Sequence, residues 1–259
     1  MAQTALITGA SAGLGEIFAA MLAEQGHDVI LVARRVDRLN ALAKAIEATS
    51  GCKAHVIAAD LAAPGAVDAL MAEIVARGLR VDVLINNAGF GARGPFGDID
   101  AKLQASIIDV NCRALIELCH AVLPGMIAKG SGGILNVAST AAFQPGPWMA
   151  VYYASKAFVL SFSEALHDEV QGKGVRVSAL CPGATRTEFA DVADMGDTRL
   201  FKTLAGDPHK VVRDGLAGLK ANRAVEISGL LNGIMATSIR FTPRFLARRI
   251  AGMLQKGGN

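Results

Sequence analysis

The chain reads as an α/β protein built on a single doubly wound parallel sheet of about seven strands, with helices on both faces. Three observations predict it. Short apolar runs alternate with longer helical patterns along most of the 259 residues. Several of those runs are continuous Val, Ile, Leu and Ala, the pattern of strands buried on both faces. A glycine-rich segment follows the first run directly and opens the first helical pattern.

The elements follow in order. Thr4–Thr8 is the first strand; it leads into Thr8-Gly9-Ala10-Ser11-Ala12-Gly13-Leu14-Gly15 and a helix over 14–25. Asp28–Ala33 precedes a helix over 36–49, and Ala54–Ala58 precedes one over 64–77. Pro64 is predicted in the first turn of that helix, where no N–H is needed. Val81–Ile85 leads to one long helix, 99–128. Gly133–Ala138 and Val175–Leu180 flank a helix over 150–172. Pro208 opens a helix over 208–221, and Ala224–Ile227 is the last strand. Strand–helix alternation implies right-handed crossovers, with ligands beyond the carboxyl ends of the strands. No repeat or low-complexity linker interrupts the chain. Residues 1–259 therefore read as one domain, with a substrate-loop segment at 188–206 and a helical extension at 230–259, divided at Pro243.

Hydrophobic residues make up 52% and charged residues 19%, which supports a sizeable core and argues against disorder. A net charge of +3, with no dense basic run before the C-terminal region, speaks against a nucleic-acid partner. Cys52, Cys112, Cys119 and Cys181 form no C-x-x-C pair, and the five histidines form no cluster. Buried thiols in a reducing compartment are expected, rather than disulfides or a metal site. Cys112 and Cys119 share a helical face as core residues, and His120 and His167 read as structural. Met1-Ala2-Gln3 lacks a charged leader, and no apolar run approaches the roughly 18 residues that cross a bilayer. The expectation is a cytoplasmic protein.

The chemistry gathers around Ser139, which closes the fifth apolar run, and Tyr152-Tyr153-Ala154-Ser155-Lys156. A Tyr and a Lys four apart on a helix share one face. An ammonium that close is expected to lower the phenol from its unperturbed value of about 10 towards working pH. The product is a proton donor or acceptor for carbonyl and alcohol chemistry. Alone, the Tyr–Lys spacing reads as a surface helix and Ser139 as a strand-end cap; convergence with the glycine loop makes them a site. Tyr153 lacks the spacing and reads as a packing or pocket-wall residue.

Glycine lets the loop turn tightly and approach a pyrophosphate without a clashing Cβ. The helix start adds free N–H groups for the anion. The bland alternative is a glycine-rich turn. At the end of the second strand, an NAD site would place an acid on the ribose 2′-hydroxyl. Here Ala33 is followed by Arg34 and Arg35, which favours the 2′-phosphate of NADP(H). NAD(H) stays as the alternative, since both arginines could solvate a loop. Asp37, the nearby acid, falls on the following helix.

These residues resemble the short-chain dehydrogenase/reductase family, in its single-domain, NADP-dependent, Rossmann-fold form. The resemblance spans residues 4 to about 190. It includes the Thr8–Gly15 loop, Asp60-Leu61, Asn86-Asn87-Ala88-Gly89, Asn111, Ser139, Tyr152-x-x-x-Lys156 and Pro182-Gly183-x-x-x-Thr187. It implies hydride transfer between a nicotinamide and a carbonyl or alcohol, with Tyr152 protonating the oxygen and Ser139 donating to it. Lys156 would hold the nicotinamide ribose and tune Tyr152, and Asn111 would support a water relay to Lys156. Gly9, Ser11, Ala12, Gly13, Leu14 and Gly15 would take the pyrophosphate, and Arg34 and Arg35 the 2′-phosphate. Asp60 and Leu61 would border the adenine. Asn87, Ala88 and Gly89 would lie along the adenosine ribose, and Pro182, Gly183, Thr185 and Thr187 near the nicotinamide. A homodimer or homotetramer through helices 99–128 and 150–172 is also implied. The competing readings are an NAD-linked alcohol dehydrogenase and a non-catalytic nicotinamide-binding regulator.

Phe90–Pro95, Thr140–Met149 and the stretch from Glu188 to about Gly206 are expected to wall the substrate pocket. Their Phe143, Pro145, Trp148, Met149, Phe189 and Phe201 favour an apolar ketone, acyl chain or steroid-like small molecule. In the extension, Leu230, Leu231, Ile234 and Met235 recur at helical spacing, as do Phe245, Leu246, Ile250 and Leu254, beside Arg244, Arg248 and Arg249. Four roles stay open for 230–256: packing on its own domain, covering the pocket, joining subunits, or resting on a membrane surface.

Overall fold

The computed structural model describes residues 2–188 and 205–255. Seven parallel strands form one sheet in the order β3-β2-β1-β4-β5-β6-β7. They are β1 (Thr4–Thr8), β2 (Asp28–Ala33), β3 (Ala54–Ala58), β4 (Val83–Asn86), β5 (Gly132–Val137), β6 (Val175–Cys181) and β7 (Val225–Ile227). The order reverses between β1 and β4, so a crevice opens beyond their carboxyl ends. Leu6, Ile30, Leu31, Leu84, Ile85 and Ile134 are fully buried, as continuous apolar strands require. Two apolar layers result, one on each face of the sheet.

The helices are α1 (Gly13–Glu24), α2 (Val36–Ser50), α3 (Ala66–Ala76), α4 (Ala101–Ile108), α5 (Leu115–Lys129), α6 (Ala150–Glu169), α7 (Pro208–Lys220), α8 (Leu230–Ile239) and α9 (Arg244–Gln255). Two expectations are corrected. Pro64 lies before α3, not in its first turn; Gly65 caps that helix in a left-handed conformation. The predicted helix 99–128 is broken by a π-helical stretch, Asp109–Ala114, between α4 and α5. Such stretches mark functional sites, because the widened turn re-aims a side chain. The residue re-aimed here is Asn111, 1% exposed.

A buried polar ladder ties α6 to the sheet. The Asn86 amide donates to Asn136 Oδ1 at 2.9 Å, and the Asn136 amide donates to Ser163 Oγ at 2.9 Å. His167 also bonds β6, its Nδ1 lying 2.7 Å from the Val177 carbonyl; His120, by contrast, is exposed. Cys112, Cys119 and Cys181 are buried free thiols. Among the described residues no helix is long and apolar enough to cross a membrane, and no group of side chains could hold a metal ion. The predicted segment 188–206 lies mostly outside the described residues, as do Phe189, Met195, Leu200 and Phe201.

Candidate active site

A cavity of about 940 Å³ occupies the crevice. Of the predicted site residues, all but Gly15 and Asn111 line it: Gly9, Ser11, Ala12, Gly13, Leu14, Arg34, Arg35, Asp60, Leu61, Asn87, Ala88, Gly89, Ser139, Tyr152, Lys156, Pro182, Gly183, Thr185 and Thr187. Gly15 and Asn111 stand directly behind it and shape it.

The loop after β1 needs its glycines. A Cβ on Gly15 would sit 2.2 Å from the Gly9 carbonyl oxygen and 2.7 Å from Asn87 Nδ2. Gly9 itself adopts φ +67°. The loop is held from below by Thr8, whose hydroxyl accepts from the backbone N–H groups of Asn87 and Ala88, both at 3.0 Å. Asn87 donates its amide to the Thr8 carbonyl at 2.9 Å. That amide therefore buttresses the loop, leaving Ala88 and Gly89 to present a small-residue surface. The start of α1, Gly13 and Leu14, lines the cavity, and no side chain caps the N–H groups that a helix start leaves unpaired. This cradle, with no room for a Cβ at Gly15 and little at Gly9, fits a dinucleotide pyrophosphate.

At the far end, Arg35 donates to Ser11 Oγ at 3.1 Å and to Glu188 at 2.9 Å. Arg38, one turn into α2, pairs with the other Glu188 oxygen. The two guanidinium groups, Arg38 first, hold the Glu188 carboxyl below its usual range. Sequence reasoning named Arg34 and Arg35 but missed Arg38 and Glu188. Arg38 had a local signal, three residues beyond Arg35 on the same helical face. Glu188 had none, since its contacts lie 150 residues away.

Catalytic side chains converge from β5 and α6. Ser139 ends β5 and does cap a short turn: its hydroxyl accepts from Ala141 N at 3.1 Å. It also hydrogen-bonds the Tyr152 hydroxyl. Lys156 Nζ donates to the Val137 carbonyl at 2.8 Å and lies 5.8 Å from the Tyr152 ring centre. Asn111 donates to the Phe90 carbonyl and to Ser155 Oγ, both at 3.0 Å, and accepts from Phe90 N at 3.1 Å. Ser155 in turn donates to the Tyr152 carbonyl at 2.7 Å. Asn111 thus pins the Phe90 loop to α6 at the catalytic tyrosine.

The expected fall in the Tyr152 pKa is corrected. Burial raises it above the ordinary phenol range, and the Ser139 hydrogen bond offsets only part. Burial also pushes the Lys156 ammonium down to about 8. The spacing places both groups on one face, but the amine is committed to a backbone carbonyl and both lose hydration. The phenol is accordingly held in its protonated, donating form.

The substrate end is walled by Phe90, Thr140, Gln144 and Tyr153, and by Met235, Ile239, Ala247, Ile250 and Ala251 from α8 and α9. Tyr153 is a wall residue, as predicted, and Gln255 Nε2 donates to its hydroxyl at 2.6 Å. The C-terminal helices therefore do cover the pocket.

A family model for short chain dehydrogenases matches residues 3–196. Sulfoacetaldehyde reductase 2 of Chromohalobacter salexigens is 37% identical over 221 residues, 85% of this chain and 87% of that one. A short-chain dehydrogenase from Sphingobium yanoikuyae, in complex with NADPH, superposes with a TM-score of 0.81 at 34% identity, covering 93% of this chain and 96% of the other. The bulky-bulky ketone specific alcohol dehydrogenase from Comamonas testosteroni gives 0.77 at 30%, covering 93% and 95%. This chain belongs to the short-chain dehydrogenase family. It is an oxidoreductase of the alcohol–carbonyl class, which sets aside the non-catalytic regulator.

Proposed function

We propose an NADP(H)-dependent reductase of apolar ketones or aldehydes, working reversibly as an alcohol dehydrogenase. The observation that carries it is the Ser139–Tyr152 hydrogen bond at the floor of an apolar-walled cavity, with Lys156 one turn along α6. Bound NADPH supplies the hydride. Ser139 and Tyr152 bind the substrate oxygen, and Tyr152 delivers the proton as negative charge develops there. A buried, protonated phenol suits reduction. Lys156 holds the nicotinamide ribose hydroxyls, and its ammonium favours the phenolate once the proton has left. Asn111 and Ser155 are positioning residues that fix Tyr152 through backbone contacts. Asp60 and Leu61 border the adenine, and Thr185 and Thr187 the nicotinamide carboxamide. The relative specific for bulky ketones supports an apolar substrate, as do the Met and Ile side chains of the C-terminal wall.

NADP preference rests on Arg34, Arg35 and Arg38, with no acid at the end of β2. Replacing Arg35 by Ala is expected to lower the NADPH-to-NADH ratio of kcat/KM by roughly ten- to a hundredfold, the worth of charge-assisted hydrogen bonds. Glu188 occupies the donors that a 2′-phosphate would take. Glu188→Gln is therefore expected to tighten NADPH by about two- to fivefold while leaving NADH unchanged, measured by fluorescence titration. Equal shifts for both cofactors would place the 2′-phosphate elsewhere.

The chain is further proposed to act in a reducing, cytoplasmic compartment, consistent with its free thiols. A homo-oligomer through α4, α5 and α6 is consistent with exposed Ile108, Ile116 and Phe158 on those helices.

A further inference from the structure

Helices α8 and α9 are built inside out. A helix that packs on its own domain buries its large apolar residues and exposes small or polar ones. On α9 the buried stripe is Ala247, Ala251 and Gln255, at 5%, 2% and 1% exposure, while Phe245, Leu246 and Met253 stand out at 54%, 41% and 63%. On α8 the buried residue is Ala236, and Leu230, Leu231 and Ile234 are exposed by 85%, 55% and 58%. Phe241, in the turn between them, is 85% exposed. A run of large apolar residues facing outward from adjacent helices is not the scatter of single exposed side chains that any surface carries.

The charge these two helices and the residues after them carry has one sign. From Ser228 to Asn259 the sequence holds Arg240, Arg244, Arg248, Arg249 and Lys256 and no acid at all, which leaves 21 basic against 23 acidic residues on the remainder. The four arginines are exposed, and no described carboxylate pairs with any of them. The sequence is slightly negative over residues 1–227 and purely basic over 228–259.

We propose that the outer face of α8 and α9 docks on an anionic lipid surface. Phe241, Phe245, Leu231 and Met253 enter the boundary between headgroups and acyl chains. The arginines reach back to the phosphate layer through their flexible stems. Each cation held there strengthens partition by about fivefold. A second copy of this chain fits less well. Symmetric pairing would set the same cationic face against itself, with no acid to offset it. The same two helices wall the substrate cavity on their inner side, through Met235, Ile239 and Ile250. A docked protein would therefore hold its apolar pocket within one helix thickness of the lipid in which apolar ketones dissolve.

The test is flotation of the full chain with vesicles, a readout that needs no turnover and so stands apart from the reductase reading. Binding to phosphatidylcholine vesicles carrying phosphatidylglycerol is expected to exceed binding to phosphatidylcholine alone by roughly tenfold or more, and to weaken with salt. Phe241→Glu with Phe245→Glu is expected to abolish it, and Arg244→Gln with Arg249→Gln to remove the preference for anionic lipid. These exposed residues lie outside the cavity, so both variants are expected to reduce a water-soluble aldehyde at the wild-type rate, which also certifies folding. Equal binding to neutral and anionic vesicles overturns the proposal, as does wild-type flotation of the double-Glu variant. So does sedimentation in which that variant breaks a dimer while the wild type ignores vesicles, because a second copy then covers the face.

Discussion

Tyr152→Phe is expected to lower kcat for ketone reduction by about 10²–10⁴-fold, the range over which a positioned acid contributes. NADPH affinity should stay within a few-fold of wild type, because the phenol oxygen is the only atom removed. The ring keeps its edge-to-face contact with Tyr153, centres 6.1 Å apart. Gly91, above it, keeps a close approach that a Cβ would turn into a 2.9 Å clash with the same ring. Fold and cavity therefore survive the substitution, and the loss falls on the proton. The pH profile adds a second readout. Burial holds the phenol above its ordinary range, so reduction should run undiminished through neutral pH, where the donor is fully protonated. Oxidation of the alcohol, which needs the deprotonated form, should rise as pH rises. Turnover of Tyr152→Phe at the wild-type rate would sink the assignment, whatever the cofactor titration shows.

Much of this was legible because the sheet is buried on both faces. Strands such as Asp28–Ala33 announce themselves by a continuous apolar run, Val29–Ala33, and the carboxyl ends of the strands carry the site. The glycine loop, Ser139, Tyr152 and Lys156 each sit where a local signal placed them. What escaped reading depends on distance. The π-helical break at Asp109–Ala114 has no local signature, since Asn111 is turned inward by partners at Phe90 and Ser155 from two other segments. The Tyr152 pKa was misjudged from spacing alone, because burial outweighs a neighbour committed to the Val137 carbonyl. Periodicity found the apolar stripes of α8 and α9 but not their direction. Alanines at 236, 247 and 251 form the buried stripes, and Leu230, Leu231, Phe245 and Met253 stay exposed. NADP preference was read from two arginines, whereas the cationic site as folded also draws on Arg38 and is covered by Glu188.

Gly15→Ala is the other substitution with a large expected effect, and it acts on the cofactor cradle rather than on the proton. The added methyl would meet the Gly9 carbonyl carbon and oxygen at 2.7 and 2.2 Å. Those are backbone atoms, with no flexible side-chain end to swing aside. Relief requires Gly9 to move, and Gly9 is hemmed in by Asn87 and Ala88, which Thr8 holds from beneath. Overpacking of this kind costs about 1–3 kcal/mol, a loss of roughly 3–10 °C in Tm for a chain of this size. The displaced loop also takes its N–H groups out of register with the pyrophosphate, so the NADPH Kd should rise by roughly tenfold or more. Gly97→Ala is the matched control, since nothing lies within 4 Å of the new methyl and its φ is not in the left-handed region. It should leave both Tm and Kd unchanged. A Gly15→Ala protein with lowered Tm but wild-type NADPH affinity would separate the two effects and show that the dinucleotide does not press on this loop. Loss of both together, with Tyr152→Phe losing only turnover, assigns binding to the β1–α1 turn and chemistry to α6.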